Sequence, residues 1–212
     1  MSLKAFNKIK GKLGSGVSIV AVSKGHSQEQ ILDLYNIGHR DFGENFLQEL
    51  IDKKAQLPND IRWHFLGNIQ SNKLTKIVEA SHIIHSVARL KIYKILISKE
   101  SNLSSQILLQ LKLGTEETKS GFSENEIVDI IKNHDISSSI KIKGIMVISE
   151  NNIDNQTKKN QFIQAKKLFE RIKKINDEIS ILSMGMSGDY QEAISSNSNM
   201  VRLGTILFGE RK

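Results

Sequence analysis

Lys24 follows the apolar run Ile19-Val20-Ala21-Val22, with only Ser23 between them. If that run is a buried strand, the lysine stem leaves the core at the strand's end and its ammonium is partly stripped of water. Desolvation lowers an amine's pKa, and the neutral amine is the form that attacks a carbonyl to give a Schiff base. The same position suits a lysine that merely snorkels to the surface, so spacing alone leaves both readings open. Ser187-Gly188 and Gly204-Thr205 pair a hydroxyl with a glycine. Such pairs let backbone amides approach an anion closely and so fit a phosphate; they also fit ordinary turns and helix caps. Arg202 lies two residues before Gly204. Its charge is permanent and needs an acceptor, either Glu44 or Glu116 in an ion pair or a ligand ring. The histidines are 26, 39, 64, 82, 85 and 134. His82 and His85, three apart on a strand, point to opposite faces. With no H-E-x-x-H pattern and no cysteine, no metal site is assigned. His64 reads as a packed core residue.

These residues act together only if the fold gathers them. Apolar, β-rich runs fall at 17–22, 40–42, 62–66, 82–87, 106–111, 140–147, 179–182 and 200–203, with helical patterns near 27–38, 45–56, 70–80, 88–100, 123–133, 157–177 and 189–196. Runs such as Ile107-Leu108-Leu109 are apolar at every position, as parallel strands buried on both faces require. Eightfold strand–helix alternation means a doubly wound sheet or a (β/α)8 TIM barrel. The strand count and regular spacing predict the barrel. Its active face is the rim at the strands' C-terminal ends. That rim carries Lys24, Glu44-Asn45, His64, His85-Ser86, Lys112, Met146, Met186-Ser187 and Arg202 through Thr205.

The chain of 212 residues is read as one domain, 1–212, and its 39% apolar content is ordinary for a globular protein. No apolar run reaches the length of a membrane helix and the N-terminus lacks a signal-peptide pattern, so a cytoplasmic protein without membrane contact is expected. The net charge of +7 raises the possibility of nucleic acid. The densest basic group, Lys158, Lys159, Lys166, Lys167, Arg171, Lys173 and Lys174, falls in one helical pattern with Phe162, Ala165, Leu168, Phe169, Ile172 and Ile175 at core spacing. It is therefore read as the solvated side of an amphipathic helix, with no nucleic-acid partner.

Several motifs follow one another in order: Ala21-Val22-Ser23-Lys24, Phe42-Gly43-Glu44-Asn45, Trp63-His64-Phe65-Leu66-Gly67 with Gln70-Ser71-Asn72-Lys73, Glu116-Glu117-Thr118-Lys119-Ser120-Gly121, Lys143-Gly144-Ile145-Met146, Leu182-Ser183-Met184-Gly185-Met186-Ser187, and Val201-Arg202-Leu203-Gly204-Thr205. Together they resemble the pyridoxal phosphate homeostasis proteins, once called proline synthetase co-transcribed homologues, which are similar to the N-terminal barrel of alanine racemase. The resemblance implies a barrel of the type III fold of pyridoxal 5′-phosphate (PLP) proteins, without alanine racemase's second β-domain. It implies Lys24 as the Schiff-base lysine, Ser187, Gly204 and Thr205 as phosphate ligands, and Arg202 facing the pyridine nitrogen. Asn45, Ser86 and Met186 would line the pocket. A guanidinium only donates hydrogen bonds, so it keeps that nitrogen unprotonated and weakens the ring as an electron sink. The function implied is a monomeric carrier that buffers PLP in the cell and hands it to apo PLP-dependent enzymes. The alternative is an amino-acid racemase, for which Tyr35, Tyr93 and Tyr190 stand in helical patterns rather than at strand ends. Lys112 stands where relatives usually have asparagine, and this departure bears on the pocket.

Overall fold

The computed structural model describes residues 3–14, 16–98, 103–114, 120–150 and 153–210. Glu116 through Lys119 lie outside this set. The elements run α1 (Leu3–Leu13), β1 (Ser18–Val22), α2 (Gln28–Asn36), β2 (Asp41–Glu44), α3 (Leu47–Gln56), β3 (Arg62–Phe65), a 3-10 turn (Ser71–Lys73), α4 (Leu74–Ala80), β4 (Ile83–Val87), α5 (Leu90–Ile97), β5 (Ser105–Leu111), α6 (Glu124–Asn133), β6 (Ile140–Val147), α7 (Asn155–Lys173), β7 (Ile181–Ser183), α8 (Tyr190–Ser195), β8 (Met200–Leu203) and α9 (Thr205–Phe208). The strands form a closed parallel barrel in chain order. β8 closes onto β1 with Ser18 opposite Met200 and Ala21 opposite Leu203. Closure leaves no sheet edge, and a helix between each strand and the next returns the chain to the barrel floor.

Local chemistry sets the helix starts. Ser27 and Ser123 each accept a hydrogen bond from the backbone three residues on, while Gln30 and Glu126 reach back, so both α2 and α6 begin with a capping box. Asp154 caps α7 through the Thr157 amide, which starts that helix two residues before the periodicity alone indicates. α7 then ends at Lys173, leaving Ile175 outside the helix and 39% exposed rather than in the core. The other five apolar residues read for that helix are buried, and its basic residues lie on the outside.

The core has two unequal parts. The larger one, with Ile31, Leu34, Leu50, Ile77, Ile127 and Phe162 among its members, packs the helices on the sheet. A separate, small cluster joins Ile83, Leu108 and Met146 from adjoining strands. Barrel interiors are usually filled by layers of branched apolar side chains. Here buried His64, His85, Ser183 and Arg202, all on strands, take part of that space. Among the described residues no helix is long and apolar enough to cross a membrane.

The register shifts twice, between β4 and β5 and between β5 and β6. Ile107 pairs with Ile142 but Leu108 with Gly144, so Lys143 is an extra residue in β6. Gly144 has φ +155°, and a Cβ there would sit 1.8 Å from the Ile181 carbonyl oxygen. Only glycine fits this bulge and this approach. Gly144→Ala must open the β6–β7 seam; combining backbone strain with overpacking, it should cost about 2–4 kcal/mol. A thermal melt should show the midpoint lowered by roughly 5–15 °C.

Candidate functional site

Lys24 leaves β1 in a turn closed by Gly25, whose φ of +71° is left-handed. Buried charges hold this turn from both sides. The Lys53 ammonium, on α3, donates to the Ser23 carbonyl at 2.7 Å, to Glu44 Oε1 at 2.8 Å and to Glu49 Oε1 at 2.7 Å. Those three bonds use all its hydrogens. Ser23 Oγ donates to the same Glu44 oxygen at 2.6 Å, and the Gly25 amide donates to Glu49 Oε1 at 2.6 Å. The residues before and after Lys24 are thus tied to one cluster.

Across the mouth, two amides converge. The Gly204 amide donates to Ser187 Oγ at 3.2 Å, and the Ile206 amide donates to the same atom at 3.4 Å. Amides at the start of a helix have no acceptor within it, and here the Ser187 hydroxyl oxygen supplies one for both. The Ser187 loop is itself pinned. Asp189, buried, accepts from the Met186 amide at 2.7 Å and from Ser149 Oγ at 2.7 Å. Arg202 on β8 donates from Nη1 to the Ser183 carbonyl and to Ser183 Oγ, both at 2.8 Å, and from Nη2 to the Val147 carbonyl at 2.7 Å. Burial pushes its pKa down to about 10, against the pull of the Asp189 charge, so it stays a cation at neutral pH.

Between these groups lies a cavity of about 270 Å³. Lys24, Asn45, Met186, Ser187, Arg202, Gly204 and Thr205 line it, and so do Val22, Leu66, Met146, Ile148 and Gly188. Seven of the eight residues singled out in the sequence therefore share one cavity. Ser86 does not line it. Its buried hydroxyl donates to the Gly67 carbonyl at 2.5 Å, and a Cβ at Gly67 would lie 1.8 Å from the Asn45 carbonyl oxygen. Ser86 thus bears on the cavity at one remove, through the packing of Gly67 on Asn45.

Two expectations need correcting. Arg202 makes no ion pair with Glu44, because Glu44 at the end of β2 pairs with Lys53 instead. Phe42, two residues earlier on β2, packs in the core beneath the helices, so strand alternation sends Glu44 to that same outer side. Lys112 lines a separate cavity of about 100 Å³, which meets the main one only at Ile148. Its backbone pairs with Phe122 there. His64 is 1% exposed, the packed residue expected. The Lys53 cluster and the polar partners of Arg202 escaped the sequence reading.

The alanine racemase N-terminal domain family matches residues 4–212. A pyridoxal phosphate homeostasis protein of Synechocystis is 40% identical over 215 residues, covering 99% of both chains. One of Schizosaccharomyces pombe is 33% identical, covering 93% of this chain and 86% of the other. The chain belongs to the pyridoxal phosphate homeostasis protein family. PipY of Synechococcus elongatus, solved with PLP bound, superposes with a TM-score of 0.87 at 32% identity, covering 97% of this chain and 99% of PipY. Alanine racemase of Corynebacterium glutamicum shares the barrel with a TM-score of 0.77 at 15% identity, and this chain covers 60% of it.

The Lys53 cluster sets a stability prediction. Burial raises the Glu44 carboxyl pKa, and the Lys53 charge and hydrogen bonds oppose this only in part. Lys53→Met removes the cation and leaves Glu44 buried without it, at a cost of about 3–5 kcal/mol in urea unfolding at neutral pH. A carboxyl whose pKa is raised by folding is best tolerated protonated. The variant's deficit should therefore be full at high pH, shrink as pH falls from the raised Glu44 value towards the ordinary carboxylate range, and vanish below that range.

Proposed function

We propose that this chain binds PLP in the cavity between the ends of β1 and β8 and serves as an intracellular PLP carrier. The observation that supports this reading is the convergence, on one cavity, of a primary amine, a pair of amides that meet at the Ser187 hydroxyl and a guanidinium. A volume of about 270 Å³ falls just below the range of ligand pockets, roughly 300–1,000 Å³, and suits a compact single-ring phosphate ester. The relative with PLP bound supports the same assignment.

When bound, PLP supplies an aldehyde that condenses reversibly with a primary amine. Lys24 is the amine that would meet it. The amides of Gly204 and Ile206, with the hydroxyls of Ser187 and Thr205, would hold the phosphate. Arg202, only a donor, would present its remaining N–H groups to the ring nitrogen. Asn45 and Met186 shape the wall, and Ser86 supports Asn45 through Gly67. The site draws on one barrel alone, which fits a monomer that forms a single domain over 1–212. We infer that the chain works in the cytoplasm and releases PLP to apo PLP-dependent enzymes. The racemase reading needs an acid/base group facing Lys24. The three tyrosines sit on α2, α5 and α8, and none lines the cavity.

Borohydride treatment of the PLP-loaded protein, followed by peptide mapping, should place a pyridoxyl mass on Lys24. Lys24→Ala should abolish the label, and a label on Lys112 instead would overturn the assignment. Thr205→Val removes one donor to a charged group, worth about 1.5–3 kcal/mol. Fluorescence titration should then show PLP affinity reduced at least tenfold and affinity for unphosphorylated pyridoxal nearly unchanged.

A further inference from the structure

A run of polar side chains crosses the interior of the barrel below the cavity. Ser183 Oγ accepts from Arg202 Nη1 at 2.8 Å and lies 3.1 Å from His85 Nδ1. His85 Nε2 lies 2.9 Å from His64 Nδ1, and His64 Nε2 lies 3.1 Å from Asp41 Oδ1. Arg62 clasps Asp41 from the other side with two bonds, at 2.7 and 2.6 Å. Ser183 and His85 are fully buried and His64 is 1% exposed. The run therefore joins the guanidinium at the mouth, on β8, to the carboxylate at the start of β2, through β7, β4 and β3.

The proton positions follow from the Arg202 end. Arg202 can only donate, so the Ser183 oxygen accepts from it and the hydroxyl proton is left to go to His85 Nδ1. With Nδ1 accepting, His85 carries its proton on Nε2 and donates to His64 Nδ1. His64 then carries its proton on Nε2 and donates to Asp41, which when ionised can only accept. Both histidines are Nε2–H tautomers and every bond points from Arg202 towards Asp41. We propose that His85 and His64 are positioning residues for Arg202, locking the Ser183 hydroxyl so that its lone pair always faces the guanidinium at the cofactor cavity. This deepens the PLP reading above and rests on it.

The surroundings favour the neutral forms at the mouth end. Burial drives the His85 pKa far down, and the nearby Arg202 charge adds to this. At the floor, burial raises the Asp41 carboxyl, but hydrogen bonds from His64 and Arg62 outweigh it and hold it well below the usual carboxylate range. The charged and titratable groups against the run are Arg202, Asp41, Arg62 and the exposed His82, whose ring centre lies 6.3 Å from that of His64. Reversing the run would bring a His85 Nδ1–H to a hydroxyl that already accepts from Arg202. The hydroxyl proton would then be left without its acceptor.

Long-range proton–nitrogen NMR on the ligand-free protein, labelled with nitrogen-15 histidine, tests the run without PLP. His85 and His64 should both show the neutral Nε2–H pattern from about pH 6 to about pH 8. A Nδ1–H signal at His85 would overturn the proposal, and this reading needs no variant. For the coupling, Ser183→Ala should release His85 from its single tautomer and lower PLP affinity about tenfold, with borohydride labelling of Lys24 retained. His85→Asn keeps an acceptor near the Nδ1 position and should bind within about threefold of the parent; His85→Leu should match Ser183→Ala. If Lys24 is labelled but Ser183→Ala and His85→Leu bind PLP like the parent, the positioning role is wrong. If Lys24 of the parent chain is not labelled, the PLP assignment fails, and the tautomers still decide whether the run exists.

Discussion

A guanidinium cannot shed its charge, so burying Arg202 obliges the barrel to surround it with acceptors. That requirement reaches far. β7 supplies both its Ser183 carbonyl and its Ser183 hydroxyl, and β6 supplies the Val147 carbonyl. These strand ends must stop where they do. Asp189 and Ser149, which stabilise the Ser187 loop, also place a carboxylate near enough to act on the same cation. The interior consequently contains only a small apolar cluster, and its polar members are satisfied by one another.

Two buried cations divide the work of placing the mouth. Arg202 stands inside the barrel and organises β6, β7 and β8. Lys53 stands outside it, between sheet and helices, and organises the turn that carries Lys24. The two networks share no residue. The cavity lies where they meet, walled on its apolar side by Val22, Leu66 and Met146. The placement of Lys24 thus depends on α3, an element that contributes no residue to the cavity.

The barrel was legible because its strands are buried on both faces, as in β4, where all five residues are buried and the apolar signal is strong. The rim followed from the barrel, and with it Lys24, Arg202 and the glycine–hydroxyl pairs. What stayed hidden has physical causes. α9 has four residues, too few for any periodicity, yet its Ile206 amide and the Gly204 amide just before it both meet the Ser187 hydroxyl at the cavity. The partner of Glu44 was misjudged because rim position was read without strand alternation, which sends that side chain outward. Ser86 sits on the rim, but where a hydroxyl points depends on a neighbouring loop, here Gly67, and not on spacing. The contact between His85 and Ser183 joins residues 98 apart in the chain, and only closure of the barrel brings them together.

The Ser187 hydroxyl has a consequence for how the barrel fares between loads. The Gly204 and Ile206 amides both rest on its oxygen. Under the proposed reading, an incoming phosphate would replace a hydrogen-bond acceptor that the protein already owns, and a departing one would hand the amides back to it. Neither exchange would strand a donor, so unloading would give this loop no local reason to open. A protein built this way would persist as a reservoir at any degree of filling, its lifetime set by the barrel itself rather than by the supply of its cargo.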